Sequence, residues 1–346
     1  MIMQNTQVRL INRPLGLPKA TDFSVETQPF QPLGVHEIRV QNRYVSIDPA
    51  MRSWMAGGRS YINPVPVGAV MRALGTGMVV ESRHPDYKIG DYLYTNLGIQ
   101  DYALLTEEHL KKPDYGNKPY RVDPAVAPLP AYLGALGLPG MTAYFGLLRV
   151  GKIRAGETVL ISAAAGGVGS LAGQIAKRQG CFVVGITSSP EKCRIVEKEF
   201  GFDTCLSYKS PTWRDELAAL CPDGVHVFFD NVGGDVLNGA LPLMARGGRV
   251  ILSGAVSQYN NMQFMRGPAN YLTLISTRAR MEGFVGIDFY DEFAEARAEI
   301  ADWIREGSIR SDVHLVSGPV DTFVTLLGQL FGGQNTGKLV LEIVAD

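Results

Sequence analysis

Ala164, Gly166 and Gly169 form an Ala-x-Gly-x-x-Gly spacing inside Thr158–Gly180, which reads TVLISAAAGGVGSLAGQIAKRQG. That spacing suits the holding of a pyrophosphate. A small residue permits a tight turn. Gly166 lets backbone amides approach the phosphates, and Gly169 lets a helix pack closely on a strand, with the phosphates at the positive end of the helix dipole. The apolar run Val159-Leu160-Ile161 before it and the amphipathic pattern after it supply the strand and helix this fingerprint requires. The alternative is a glycine-rich strand-to-helix turn that holds no ligand.

The next strand refines the ligand. Phe182–Ile186 is apolar and ends at Thr187-Ser188-Ser189, with Lys192 shortly after. Folds that select NAD usually place an acid about 20 residues beyond the glycines, for the ribose 2′-hydroxyl. No acid stands at this strand end. Hydroxyls and a cation suit a 2′-phosphate and point to NADPH; the alternative for Lys192 is a solvated helix residue.

These residues need a scaffold. At 346 residues the chain has room for two domains, and 46% hydrophobic content with 39 glycines suits a globular α/β protein. The net charge of −1, from 33 basic and 34 acidic residues mixed along the chain, argues against nucleic acid or an anionic membrane as the main partner. No apolar run reaches the ~18 residues of a membrane span and no leader pattern opens the chain, so a cytoplasmic location is expected. Cys181, Cys193, Cys205 and Cys221 lack the close pairing of structural zinc ligands, and His36, His84, His109, His226 and His314 are scattered. The expectation is free thiols and no metal.

Residues 1–130 carry short β-like runs broken by Pro and Gly: Glu37–Val45, Gly77–Glu81, Asp91–Tyr94 and Tyr102–Leu105. They read as a barrel-like β domain. Residues 131–309 alternate strands and helices, with strands expected at Val159–Ser162, Phe182–Ile186, Thr204–Ser207, Val225–Phe229, Arg249–Ser253 and Ala279–Val285. Such alternation implies a parallel sheet covered on both faces. A helix is expected over Phe289–Glu306, and the 310–346 tail, strand-like at Lys338–Val344, is expected to rejoin the first domain.

The chain resembles the medium-chain dehydrogenase/reductases, and within them the zinc-free branch of leukotriene B4 dehydrogenase/prostaglandin reductases, plant double-bond reductases and curcumin reductase-like enzymes. The resemblance runs nearly end to end, through YVSIDPAMRSWM (44–55), HPDYKIGD (84–91), LGLPGMTAYFGLL (136–148), AAAGGVGSLAGQIAK (163–177), FDNVGG (229–234), GAVSQYN (254–260), RMEGFVG (280–286) and QNTGKLV (334–340). It implies an α/β fold: a Rossmann doubly wound parallel sheet plus a barrel-like (GroES-like) β domain. It also implies NADPH-dependent reduction of a carbon–carbon double bond conjugated to a ketone or aldehyde, with hydride to the β-carbon and a proton to the α-carbon of the resulting enolate. The zinc dehydrogenases' Cys near SIDP and their Gly-His-Glu motif have no counterpart here.

Matched by motif, Gly166, Gly167, Val168 and Gly169 would cradle the pyrophosphate, and Ser188, Lys192 and Tyr208 would meet the 2′-phosphate. Asn231 and Asn335 would bond ribose or phosphate groups, while Met141, Thr142 and Phe284 would border the nicotinamide. The Tyr259 hydroxyl would sit near the nicotinamide ribose and the substrate oxygen as the catalytic donor; otherwise its ring only packs on the cofactor and water supplies the proton. Ala50 replaces an aromatic common in relatives, and small residues near Gly68 replace a tyrosine, so the relatives' substrates do not transfer. Arg52 and Trp54 read as plain barrel residues rather than entrance residues. The resemblance further implies a homodimer, with Met281–Val285 as the sheet edge that pairs. Two rival readings share the NADPH site: a quinone reductase, and a redox sensor without turnover.

Overall fold

The computed structural model describes residues 4–58, 60–111 and 119–344. The chain divides into two compact units, one made of residues 1–133 and 313–346, the other of 134–312. In the first unit, β1 (Gln4–Leu10) and β2 (Phe23–Pro29) form an antiparallel ribbon. There follow β3 (Ile38–Ser46), helix α1 (Met51–Met55), β4 (Leu74–Ser82), β5 (Tyr92–Asn96), β6 (Tyr102–Leu105), helix α2 (Glu107–Lys111) and β7 (Tyr120–Arg121). Strand β3 is the hub. It pairs with β4 on one side, and its first half, Ile38–Gln41, pairs with β6 on the other. Inward residues Ile38, Val40, Val79, Leu93, Ala103 and Leu105 share one core. Arg52 and Trp54 are buried on a helix rather than a barrel strand, and the Arg52 guanidinium donates to the carbonyls of Pro14 and Gly16 at 3.0 and 2.9 Å.

The second unit opens with α3 (Leu138–Phe145), which runs on as a π-helix through Gly151. Strands and helices then alternate: β8 (Thr158–Ser162), α4 (Gly169–Arg178), β9 (Phe182–Thr187), α5 (Pro190–Phe200), β10 (Thr204–Ser207), α6 (Trp213–Leu220), β11 (Val225–Asp230), α7 (Gly234–Ala240), β12 (Met244–Leu252), α8 (Thr273–Thr277), β13 (Arg280–Gly283) and α9 (Phe293–Arg305). Among the described residues these strands make a six-stranded, all-parallel sheet in the order β10-β9-β8-β11-β12-β13. Strands β8, β9 and β11 in the middle of the sheet are buried on both faces and read as largely apolar runs. Phe228 packs with Leu237 and Trp213 of the helices on one face, while its neighbour Phe229 turns to the other, against Gly146 of the π-helical turn.

Strand bounds differ from expectation where side-chain pattern stops being informative. Strand β12 begins at Met244, which pairs with Val225; the pairing then shifts register across Ala245–Gly248 and resumes at Arg249, a break that side-chain pattern does not show. Strand β13 stops at Gly283, short of Val285. The expected Phe289 start of the last long helix is a 3₁₀ segment, Gly286–Glu292, kinked at Phe289 (φ −101°, ψ 19°); the α-helix starts at Phe293.

The chain returns to the first unit with β14 (Val313–Gly318), α10 (Thr322–Phe331) and β15 (Lys338–Ile343). Strand β15 lies between β14 and β3, pairing antiparallel with the second half of β3 (Val340 opposite Ser46). Lys338 is fully buried there. Its ammonium donates to the carbonyls of Ile47 and Leu339 at 2.5 and 2.9 Å and pairs with Asp48 at 3.1 Å, while burial holds its pKa below the ordinary lysine value.

Candidate functional site

In a sheet of this order the two halves diverge between β8 and β11, and ligands bind beyond the carboxyl ends of the strands at that switch point. Ser162 ends β8 and Asp230 ends β11. The Ser162 hydroxyl donates to Asp230 Oδ1 at 2.7 Å and accepts from the Asn231 amide at 2.8 Å. The Asp230 carboxylate also accepts the amides of Val232 and Gly233 at 3.0 Å, and Asn231 Nδ2 donates to the Ser162 carbonyl at 2.8 Å. This buried cluster stitches the floor of the crevice. Sequence reasoning passed over Ser162 and Asp230. The signal was available: an acid closing the apolar run Val225–Phe229 must be buried, and a buried carboxylate must be hydrogen-bonded.

Gly166, Gly167, Val168 and Gly169 lead from β8 into α4. Ala163 adopts a left-handed backbone (φ 49°), and its carbonyl accepts the Gly166 amide at 2.8 Å. A Cβ on Gly169 would lie 2.2 Å from that carbonyl oxygen, so only glycine lets the helix start this close to the strand. Val168 is the N-cap residue and offers no side-chain cap. The first amides of a helix have no partner within its own turns; here the Ser170 amide donates to the Gly166 carbonyl at 3.0 Å, and the cap residue has no side-chain oxygen to offer the others. Gly166, Gly167 and Val168 are half-exposed while Gly169 is buried. A cradle of backbone donors without a cap suits a phosphate group.

The strand ends beyond it gather the next group. Tyr208 donates its amide to the Thr187 carbonyl at 3.0 Å, bringing β10 to the end of β9, where Ser188 follows. Ser189 caps α5, its hydroxyl accepting the Lys192 amide at 3.3 Å. Ser188, Lys192 and Tyr208 therefore collect at one end of two adjacent strands. Lys192 is half-buried, and desolvation lowers its ammonium pKa, so it is not a freely solvated helix residue.

Past β12, the loop carrying Tyr259 is laced to the Asp230–Gly233 turn. Ser253 and Gly254 donate amides to the Asp230 carbonyl at 2.9 and 3.2 Å, and Val256 donates to Asn231 at 3.1 Å. The Tyr259 hydroxyl accepts the Ala255 amide at 3.2 Å. A Cβ on Gly254 would meet the Tyr259 hydroxyl at 3.1 Å and the Asn231 carbonyl at 3.4 Å, so these two residues flank one glycine. Phe284 follows β13 and packs edge-on to Phe229, ring centroids 6.3 Å apart. Thr142 lies against Gly286, where a Cβ would stand 2.9 Å from its hydroxyl, and Met141 beside it is fully buried. Asn335 belongs to the first unit, its side-chain amide donating to the Gly337 carbonyl at 2.9 Å. Among the described residues no group of three or more His, Cys, Asp or Glu side chains is placed to hold a metal ion.

Comparison with known proteins decides the family. A family described as the N-terminal domain of oxidoreductase matches residues 6–112, and one described as zinc-binding dehydrogenase matches residues 167–302. The NADPH-dependent curcumin reductase of Escherichia coli (strain K12) is 36% identical, over 99% of this chain and 98% of its own. The chain belongs to the medium-chain dehydrogenase/reductase family. Within it, a 2-alkenal reductase (NADP(+)-dependent) of Nicotiana tabacum is 36% identical, covering 99% of this chain and 98% of its own. The crystal structure of CurA in complex with NADPH from Vibrio vulnificus superimposes with a TM-score of 0.90 at 32% identity, covering 99% of this chain and 100% of that one. The chain thus joins the reductase branch of the family, and its second unit has that family's cofactor-domain topology.

The buried Asp230 makes a pH prediction. Burial pushes its carboxyl up from the ordinary aspartate value, against the pull of the Val232, Ser162 and Gly233 donors. A carboxyl whose folded pKa is raised holds its proton more tightly folded than unfolded. Its stabilising contribution is full below the unfolded value of about 3.9 and is lost as pH rises through the raised folded value. Asp230→Asn has no such proton. The unfolding free energy of the wild type relative to this variant, from urea titrations, should increase as pH falls from neutral toward 4. A difference that is flat or falls over that range refutes the assignment.

Proposed function

We propose that this chain is an NADPH-dependent reductase of the carbon–carbon double bond in α,β-unsaturated ketones or aldehydes. Its full-length likeness to an NADPH-dependent curcumin reductase and a 2-alkenal reductase carries the reading. The switch-point geometry supports it, because the chain's own groups fit the cofactor. The start of α4, without a side-chain cap, suits the pyrophosphate, and Gly169 lets the helix begin against the Ala163 carbonyl. Ser188, Lys192 and Tyr208, gathered beyond the ends of β9 and β10, would meet the 2′-phosphate. Asn231 has its amide nitrogen engaged with Ser162, so its Oδ1 is the atom left to accept from a ribose hydroxyl. Asn335 would take another ribose or phosphate contact. Thr142, Met141 and Phe284 would border the nicotinamide ring. Bound NADPH supplies a hydride. The Tyr259 hydroxyl would then hold the substrate oxygen as charge develops there, a role in which one donor contributes about 2–4 kcal/mol in a dry site.

Steady-state NADPH oxidation with a panel of enals, enones and quinones tests the reading. Turnover on conjugated enones and enals should exceed that on quinones; the reverse order makes the chain a quinone reductase, and no turnover with any electrophile makes it a binding protein.

Lys192→Ala should raise the Michaelis constant for NADPH by about one to two decades, the loss of one charge-assisted contact, and leave that for NADH nearly unchanged. Equal damage to both cofactors would remove Lys192 from the 2′-phosphate site.

Tyr259→Phe keeps the ring and loses the donor. Turnover should fall by roughly ten- to a thousandfold with NADPH affinity little changed, as for a contact made mainly in the transition state. Wild-type turnover in this variant would leave solvent as the proton source.

We also infer a homodimer. Among the described residues strand β13 is an unpaired sheet edge, and in the segment that leads into it Phe264, Met265, Tyr271, Leu272 and Ile275 are each more than half exposed. An open edge flanked by apolar side chains is a template for a second copy. Light scattering at micromolar concentration should give twice the chain mass, and Ile275→Glu should lower it; a wild-type monomer overturns the inference.

A further inference from the structure

The second unit holds four buried free thiols in two kinds of surroundings. Cys181 and Cys221 are isolated from other thiols, and burial pushes each up to about 11. Cys193 and Cys205 instead flank one hydroxyl: Thr187 Oγ1 lies 3.0 Å from Cys193 Sγ and 3.8 Å from Cys205 Sγ. Thr187 Oγ1 is thus a partner that the two thiols share. Cys193 is in the first turn of α5, and Cys205 is on β10 opposite Gly185, where a Cβ would come within 3.1 Å of its sulfur. The bare backbone at Gly185 makes room for that sulfur.

We propose that Cys193 and Cys205 are a reversible disulfide-forming site, oxidised by hydroperoxides, whose closure weakens the adjacent site for the cofactor 2′-phosphate. The second half of the proposal rests on the cofactor reading above; the bond itself does not. Cys193 is the first to ionise. A hydrogen bond from Cys205 draws its pKa down to about 7, assisted by Thr187 and opposed by burial, while Cys205 shifts the opposite way, because its own ionisation would set a second buried anion beside the first. A thiolate in the first turn of a helix gains further from the helix dipole.

The chemistry balances with the peroxide as oxidant. The Cys193 thiolate attacks one peroxide oxygen, the O–O bond breaks, and the departing alkoxide or hydroxide takes up a proton. Cys193 is then a sulfenic acid. The Cys205 sulfur attacks the Cys193 sulfur, loses its proton and expels water, leaving an S–S bond. Two thiols are oxidised by two electrons, and the peroxide is reduced to an alcohol and water.

The coupling is geometric. Lys192 precedes Cys193 in the chain, Tyr208 lies three residues beyond Cys205, and Thr187 joins them by accepting the Tyr208 amide. Drawing two non-bonded sulfurs to bonding distance moves the first turn of α5 relative to β10. Lys192 and Tyr208 move with those elements.

The full chain, reduced and then exposed to hydrogen peroxide, is alkylated, digested and mapped by mass spectrometry, while NADPH and NADH affinities are measured by fluorescence titration. The expected result is a cross-linked peptide joining Cys193 to Cys205, with Cys181 and Cys221 alkylated. NADPH affinity should fall by about tenfold and be restored by dithiothreitol, and NADH affinity should be unchanged throughout. Cys193→Ser and Cys205→Ser, confirmed as folded by circular dichroism, should bind NADPH like the wild type and be indifferent to peroxide. Alkylated Cys193 and Cys205 after peroxide, or sulfinic acid at either, overturns the site. A mapped disulfide with unchanged NADPH affinity overturns the coupling. If Lys192→Ala then also leaves NADPH affinity unchanged, the fault lies in the cofactor reading, and the disulfide site stands.

Discussion

The second unit depends on how closely α4 approaches the sheet. The helix begins against the carbonyl of Ala163, itself held left-handed, and Gly169 admits the contact by having no side chain. The closeness continues along the helix. A Cβ on Gly173 would fall 1.9 Å from the Phe202 ring, and one on Gly185 would fall 3.0 Å from Ala164. Three bare positions thus set one helix deep into a parallel sheet. That depth keeps the helix's positive end near the carboxyl ends of the strands.

Two ends of the proposed cofactor site are built by different means. The pyrophosphate end is backbone: amides at the start of α4, presented by a turn in which almost no side chain fits. The 2′-phosphate end is side chain: Ser188 and Tyr208 just past two strand ends and Lys192 in the first turn of α5, all exposed or half-exposed. Backbone donors are fixed by the fold and cannot be tuned by substitution without breaking the turn. Side chains at strand ends can change while the sheet stays intact, so the choice between the two nicotinamide cofactors can vary within a constant architecture.

Local pattern made much of this legible. Strands β8, β9, β10 and β11 are buried on both faces, so their apolar runs mark them nearly to the residue. The glycine spacing needs only its flanking strand and helix to be read. What escaped was nonlocal. The β1–β2 ribbon alternates polar residues with few apolar ones, and α1 hides in the stretch that includes Ser46-Ile47-Asp48-Pro49. Arg52 and Trp54 look like barrel residues until the chain's return shows that they belong to a helix. Ser162 and Asp230 are unremarkable sixty-eight positions apart and become a unit only when β8 and β11 lie side by side. Cys193 and Cys205 likewise have no telling spacing; the hydroxyl between them belongs to a third segment.

The position of β15 bears on how the chain acquires its shape during synthesis. The second half of β3 finds the neighbour on one of its two sides in residues 338–343, and the Lys338 ammonium reaches back to Ile47 and Asp48. The first unit therefore cannot close its sheet until residues 338–343 have left the ribosome. The second unit is contiguous and contains every partner its sheet requires by residue 312. On a ribosome adding residues one by one, the later-encoded unit would finish first, and the earlier one would wait with an open edge at β3. That open edge is where a truncated product would be most exposed to proteolysis and mispairing.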